Sequence, residues 1–309
     1  MLLKVNRLSG FSLIMTLGAF LASPVQSATP SDVFQVVDQV KNELSLMHEA
    51  NGSAARTDKN APALQPRRPR HVLQKAREVL LQVQQLRKLN GLAEKPVPSF
   101  PVTEITPGDV KNMVDRVLVD VKGLRGKFSV KKAAAAAPKP SGKTPTNVYA
   151  HLTLVGLQVQ GLGIPKTVPN SVYRMGITII SDLQLIRKAL GHTDTVPMQT
   201  GAKRKKPKAV FKRGMEVMAA LKELSGKNAK LAVPGGVVMP NVRSGRIKPA
   251  HVLDQFNNIL AEVGAMKVKL GVKTPTQLAP PASGKTPSDV FDTMSTALAL
   301  IGGLKAKQS

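Results

Sequence analysis

Cysteine and tryptophan are both missing from the 309-residue sequence. Without cysteine there can be no disulfide, no thiolate metal site, no lipoprotein attachment site and no c-type haem attachment. Aromatic residues make up only 3% of the chain, which argues against aromatic platforms that stack on nucleic-acid bases or on sugars. Acidic residues are also scarce, with 19 against 45 lysines and arginines, so the net charge is +26. A chain this basic is expected to meet polyanions wherever it is located.

Residues 1–27 have the pattern of a secretory signal peptide. Lys4 and Arg7 precede an apolar run that reaches Leu21, and small residues follow up to Ser27. We expect cleavage after Ser27 and export to the periplasm, the cell envelope or the medium. An uncleaved anchor is the alternative, but the run is shorter than the roughly 20 apolar residues of a membrane span. No later segment is continuous enough to cross a bilayer, so we expect no span after cleavage.

A Pro-x-x-Val pattern recurs eight times and divides the rest of the chain into repeats. The repeats start at Pro30, Pro69, Pro107, Pro145, Pro169, Pro207, Pro249 and Pro287. The offsets +3, +7, +10, +14 and +17, counted from each proline, are apolar in every copy except for Gly176 and Gly214. Alternating spacings of four and three place these positions on one face of a helix. The sequence therefore predicts an all-α fold of eight amphipathic helices, each about 20 residues long and in need of partner helices.

Four of the repeats carry a strong signal for the start of a helix. A threonine precedes the proline, and a carboxyl or amide side chain follows three residues after that threonine, as in a capping box. The pairs are Thr29 with Asp32, Thr106 with Asp109, Thr144 with Asn147, and Thr286 with Asp289. The other four repeats have Arg68, Val168, Lys206 or Lys248 before the proline, and we expect weaker caps there.

The spacing of the repeats predicts a duplicated unit. Successive prolines are 38 to 42 residues apart, but Pro145 and Pro169 are separated by only 24. The sequence Ser-Gly-Lys-Thr-Pro occurs before repeat four and again 142 residues later, before repeat eight. We predict two four-helix bundles, at residues 28–165 and 166–309, with a single eight-helix array or solenoid as the alternative.

The linkers between helices are long and rich in proline, which excludes a second helix in most of them. Their length permits neighbouring helices to be parallel or antiparallel, and the sequence leaves both directions open. In the third linker, the alanine run that precedes Pro138 favours a short alanine-rich turn.

Two basic clusters stand before helix starts and are the candidate binding sites. They comprise Lys203, Arg204, Lys205, Lys206, Lys208, Lys212 and Arg213 before and within repeat six, and Arg67, Arg68 and Arg70 at repeat two. The backbone N–H groups of a helix N-terminus already favour anions, so added cations there predict a phosphate, sulfate or uronate site. A solvated loop without a partner is the alternative interpretation.

Patterns for catalysis or metal binding are weak. His71 and His251 each lie two residues after a repeat proline, where we expect rim or capping positions rather than metal ligation. Lys143 and Lys285, in Ser-Gly-Lys-Thr, resemble the end of a phosphate-binding loop but lack its first glycine. Gly176 and Gly214 favour close helix packing, or else a void in the core that could hold a small apolar molecule. We nominate no catalytic residue, metal or cofactor.

These observations favour an exported, non-enzymatic interaction or scaffold protein. Its partner is expected to be an acidic envelope component, such as a polysaccharide, a lipid head group or an acidic protein, without sequence-specific binding to nucleic acid. Residues 28–165 carry 20 basic and 11 acidic side chains, net +9, and residues 166–309 carry 23 and 8, net +15. Polyanion binding is therefore expected in the second half. The alternative function is a sensor or carrier that holds a small apolar molecule in its core; the oligomeric state is left open.

Overall fold

The computed structural model describes residues 27–55 and 65–306, with nothing said of the side chains of residues 305 and 306. Apart from Ser27, the predicted signal peptide lies outside this range. The helices are α1 (Pro30–Ala50), α2 (Pro69–Leu89), α3 (Pro107–Lys122), α4 (Pro145–Gly161), α5 (Pro169–Ala189), α6 (Pro207–Lys227), α7 (Pro249–Lys269) and α8 (Pro287–Ala306). Two short 3-10 helices follow α3 and α6, at Arg125–Phe128 and Ala229–Leu231. The part of the chain that is described contains no strand, so the all-α prediction is confirmed.

Every helix begins at its repeat proline, and the predicted caps are present. At α1, the Thr29 hydroxyl accepts a hydrogen bond from the Asp32 N–H at 3.3 Å. The Asp32 carboxylate in turn accepts from the Thr29 N–H at 2.8 Å. The same reciprocal box forms at the other three threonines, Thr106, Thr144 and Thr286. Each box satisfies two backbone donors that a helix N-terminus otherwise leaves unpaired.

Histidine takes the place of the acid at two of the weaker caps. His71 Nδ1 accepts from the Arg68 N–H at 3.0 Å, and His251 Nδ1 accepts from the Lys248 N–H at 3.3 Å. This confirms the capping role that we expected for both histidines. Because Nδ1 is the acceptor, the proton of a neutral ring is on Nε2 in each case.

The five repeated apolar offsets form the core. In α1 they are Val33, Val37, Val40, Leu44 and Met47, and all five are buried. The corresponding side chains of α8 are buried as well, at Val290, Met294, Ala297, Ile301 and Leu304. Since burial of an aliphatic side chain contributes about 1.5–3 kcal/mol, this repeated stripe makes a large contribution to the free energy of helix packing.

The helices pack in two groups of four. Both α1 and α2 pack against α3 and α4, and both α5 and α6 pack against α7 and α8. The first helix of each group is therefore diagonally opposite the second. A further contact joins α2 to α7 and links the two groups. The boundary near residue 165 stays a prediction, although the contacts follow it apart from this link.

Within each group the helices are parallel, which the sequence had left open. Pro30, Pro69, Pro107 and Pro145 surround one small cavity, so the four N-termini of the first group share one end. In the second group, Gln255 Nε2 of α7 donates to the Phe211 carbonyl of α6 at 3.0 Å, four to six residues after each helix start. The Lys285 N–H, just before α8, donates to Asn170 at the start of α5 at 2.7 Å.

Parallel packing requires each long linker to run back along the bundle. We call three of these linkers return segments: residues 123–144 along α1, 190–206 along α8, and 270–286 along α5. In the first, Asn42, Gln39 and Ser31 of α1 bond the backbone at Ala135, Ala137 and Lys143, in reverse order along the helix. The alanine-rich turn predicted before Pro138 is therefore wrong, since side chains of α1 hold that backbone extended.

The two glycines in the apolar stripe allow close helix contact. A Cβ added at Gly176 would collide with Thr293 of α8, and one added at Gly214 would collide with Gln255 of α7. Tight packing, rather than a void, is what these glycines permit. The alternative function, in which the core holds a small apolar molecule, is therefore not supported by a cavity at Gly176 or Gly214.

Candidate functional site

The N-terminal end of the second bundle carries most of the predicted binding residues. We call this surface the basic end and define it by its exposed cations, which are Lys166, Lys203, Arg204, Lys206, Lys208, Lys212 and Lys248. Lys166, Lys206 and Lys248 stand within three residues before α5, α6 and α7. The parallel arrangement therefore brings cations from three linkers to one end, which no pattern within a single repeat could predict.

Backbone donors reinforce the charge of the basic end. Four parallel helices start there, and each contributes the positive end of its dipole, equivalent to roughly half an elementary charge. No side chain caps α5 at Val168 or α6 at Lys206. Pro169 and Pro207 have no N–H, and the Ser171 and Ala209 N–H groups donate to the Val168 and Lys206 carbonyls. The second N–H of each helix, at Asn170 and at Lys208, is therefore the first-turn donor that can serve water or an anion.

Two residues of the predicted cluster have a structural contact instead. The Lys205 ammonium lies 4.6 Å and the Arg213 guanidinium 4.7 Å from the centre of the Phe291 ring of α8. Arg213 also forms an ion pair with Glu216 at 2.9 Å. Lys205 thus holds the end of a return segment against α8, and Arg213 joins α6 to α8, while the exposed members of the cluster face solvent.

The contact of Lys205 with Phe291 is one of four equivalent contacts. In each, a basic residue two positions before a repeat proline lies over an aromatic ring four positions after another repeat proline, at 4.4 to 4.7 Å. The pairs are Arg67 with Tyr149, Lys143 with Phe34, Lys205 with Phe291, and Lys285 with Tyr173. The lysines of the two Ser-Gly-Lys-Thr sequences thus anchor return segments through cation–π contacts.

The second predicted cluster lies between the bundles, away from the basic end. Arg67 is buried and donates to Asn258 of α7 at 2.9 Å. Arg70 donates to Glu262 of α7 at 3.0 Å, and Arg68 donates to the Gly235 carbonyl at 3.3 Å. The structure therefore does not bring the two clusters together.

A buried histidine and carboxylate form the centre of this interface. His71 Nε2 lies 2.8 Å from Glu262 Oε1, and both side chains are fully buried. Burial lowers the pKa of His71, and the nearby Arg70 and Arg67 act in the same direction, although Glu262 opposes them. Burial alone would raise the pKa of Glu262, but the hydrogen bond from His71 and the charge of Arg70 bring it below its ordinary value.

A second buried network lies beside it. The Lys75 ammonium lies 2.6 Å from Asp254 of α7 and 2.9 Å from Glu78. Tyr149 of α4 donates its hydroxyl to the same Asp254 at 2.6 Å. Burial raises the pKa of Asp254, but the charge and hydrogen bond of Lys75, the Tyr149 hydroxyl and the charge of Arg67 together outweigh burial and lower that pKa to about 2. Sequence reasoning missed this network because its members belong to three helices far apart in the chain.

One serine–histidine contact also went unnoticed in the sequence. Ser53 Oγ lies 2.8 Å from His48 Nδ1, and His48 Nε2 lies 2.9 Å from the Gln158 carbonyl. The Ser53 N–H also donates to the His48 carbonyl at 2.9 Å, at the C-terminus of α1. The geometry is that of a side chain that ends a helix and joins α1 to α4.

Comparison with known proteins gives no relative: no protein-family model, no curated protein and no solved structure matches the chain. Among the described residues, no group of three or more histidine, aspartate or glutamate side chains could hold a metal ion. No helix in the same part of the chain is long and apolar enough to cross a membrane. The fold thus defines a protein of two parallel four-helix groups, and its function must be argued from its own surfaces.

Proposed function

We propose that the protein is an exported, non-enzymatic interaction module that binds an anionic polysaccharide of the cell envelope through the basic end. The observation that carries this proposal is the meeting of four helix N-termini with exposed lysines from separate linkers on one surface. Helix N-termini alone, or exposed lysines alone, would not distinguish a binding site from a solvated loop.

The spread of the cations favours a polymer over a single small anion. Lys166, Lys206 and Lys248 precede three different helices, so their charges are distributed over the end of the bundle and are not gathered in one pocket. A chain with repeated sulfate, phosphate or uronate groups can contact several of them at once. Each contact releases counterions, so the affinity depends steeply on salt.

The test compares two triple variants of the mature protein, residues 28–309, by heparin affinity chromatography and by calorimetry at several salt concentrations. One variant carries Lys203→Gln, Lys206→Gln and Lys208→Gln at the start of α6. Its matched control carries Lys222→Gln, Lys227→Gln and Lys230→Gln, which remove three exposed positive charges at the C-terminal end of α6 and in the 3-10 helix that follows it. The first variant should elute earlier and lose about one unit of salt slope per contact removed, while the control should lose much less.

Equal losses in the two variants would show attraction by net charge alone and would overturn the proposal. Binding of anionic vesicles that exceeds binding of soluble polysaccharide, and that depends on the same three lysines, would assign the basic end to lipid head groups instead. Binding of an acidic protein, without binding of polysaccharide or vesicles, would assign the basic end to a protein partner.

A further inference from the structure

A large cavity in the described part of the chain lies between the bundles, not at the basic end. Its volume is about 510 Å³, and it is bordered by α2, α7 and the linkers at residues 100–105, 234–235 and 272–276. Cavities that bind drug-sized molecules have volumes of about 300–1,000 Å³ and occur preferentially at domain interfaces. The size and position of this cavity are therefore those of a ligand site.

The cavity wall is apolar on one side and basic at its edge. Leu73 of α2, Leu260 of α7 and the Phe100 ring form part of the apolar wall, and all three are buried. Arg68 and Lys269 are exposed cations at the edge, against one exposed carboxylate, Glu104. A ligand that matches both surfaces has an apolar chain and a negative head group.

Arg68 is the edge cation best placed to receive that head group. Its guanidinium lies directly over Gly235, where a Cβ would approach to within 2.5 Å, and its Nη2 donates to the Gly235 carbonyl at 3.3 Å. Gly235 has a φ of +69°, a conformation that glycine adopts without strain. The backbone thus orients Arg68, while Arg70 beside it is committed to Glu262 and to two carbonyl groups.

From this geometry we infer that the cavity binds a single-chain anionic amphiphile, such as a fatty acid. The alkyl chain packs against Leu73, Leu260 and Phe100, and the carboxylate pairs with Arg68. This site is separate from the basic end, and it differs from a ligand held in the core of one bundle.

Gly264 provides a way to fill the cavity without removing any charge. It lies in α7 and lines the cavity, and a Cβ added there meets no atom within 4 Å. Gly264→Leu should therefore occupy the space with little strain. Gly226→Leu in α6 is the matched control, since that glycine is exposed and equally free of neighbours.

The experiment measures binding of dodecanoate and of dodecyltrimethylammonium to the mature protein by calorimetry, together with the melting temperature. Dodecanoate should bind one molecule per chain, at least roughly tenfold more tightly than the cationic amphiphile. It should raise the melting temperature of the wild type and of Gly226→Leu, but not of Gly264→Leu. Arg68→Gln should abolish the preference for the anion.

The Lys203, Lys206 and Lys208 triple variant should bind dodecanoate as the wild type does. Equal binding by the two glycine variants, or loss of dodecanoate binding in the triple variant, would overturn the inference. Dimerisation that closes the cavity and excludes dodecanoate would also overturn the inference. It would assign the cavity to contact with a second copy of the chain.

Discussion

His71 Nε2 of α2 lies 2.8 Å from Glu262 Oε1 of α7, and this buried contact joins the two bundles. The neutral ring accepts at Nδ1 from the Arg68 N–H and donates at Nε2 to the carboxylate. A second proton on the ring would place a donor where the cap needs an acceptor. The interface therefore depends on the protonation state of one histidine.

The stability of the protein should fall in mildly acidic solution because of His71. Burial lowers the pKa of His71 below its ordinary value of 6.5. The unfolded chain therefore takes up the proton first, so the contribution of His71 is complete above pH 6.5 and is lost as the pH falls through the folded pKa. We expect the free energy of unfolding to decrease by about 1 kcal/mol between pH 7.5 and 5.5.

His71→Gln is the matching variant, because glutamine can cap the helix and donate to Glu262 but does not titrate. Denaturation measured from pH 7.5 to 5 should give a flatter profile for this variant. The pKa of Glu262 lies below 4.5, so its titration falls outside this range. Superimposable profiles would contradict the assignment.

Removal of Lys75 should destabilise the protein strongly. Lys75→Met leaves Asp254 and Glu78 without the ammonium that lies within 3 Å of both. Loss of one partner of a buried ion pair typically costs about 3–5 kcal/mol. Lys88→Met is the control, since Lys88 is exposed and 3.7 Å from Glu94, and it should change stability by less than about 0.5 kcal/mol. Similar losses in the two variants, measured by chemical denaturation, would contradict this account of the interface.

The close contact at Gly176 predicts a rescue experiment. In Gly176→Ala the new methyl group would lie 2.8 Å from Thr293 Cβ, which no change of rotamer can move. We expect a loss of about 1–3 kcal/mol, largely recovered by a second change, Thr293→Gly, but not by Thr293→Ser. Gly226→Ala should instead stabilise the protein by about 0.5–1 kcal/mol, because that glycine is helical and free of neighbours. Urea denaturation of the four variants measures each step.

The parallel direction of the helices can be measured by spin labelling, since the chain has no native cysteine to interfere. Labels at Ser31 of α1 and Thr146 of α4 mark the second residue of each helix. For packed parallel helices, their backbones should be about 10–15 Å apart. A label pair at Ser31 and Gln160 should be separated by more than about 20 Å, since some 14 residues of helix intervene. The distances can be measured by pulsed electron paramagnetic resonance. A longer distance for the first label pair than for the second would indicate antiparallel packing.

The sequence predicted the helices well because the responsible signals are local. Thr29 and Asp32 are three residues apart, and the apolar stripe from Val33 to Met47 repeats within one helix. Helix direction was not predictable, since it depends on side chains such as Gln39 that hold a linker about 100 residues away. The basic cluster at repeat six was predicted from its charge. The sequence did not show which of its members are exposed and which contact a ring, because that depends on where Phe291 lies.

The interface between the bundles could not be predicted either, because it too joins residues far apart in the sequence. Arg67 and Arg70 look like a solvated basic cluster until α7 supplies Asn258 and Glu262 across a separation of more than 190 residues. A repeat pattern shows what the copies share, but it does not show which helix of one bundle meets which helix of the other.

The return segments have a consequence for how the chain reaches its native state. An up-and-down bundle can pair each helix with the next one through a short turn, whereas here two successive helices cannot align until the peptide between them has traversed the length of the bundle. Many native contacts then join residues far apart in sequence, so contact order is high for a helical protein. We expect refolding in milliseconds to seconds, the range of β-sheet domains, in place of the microseconds typical of simple helical bundles.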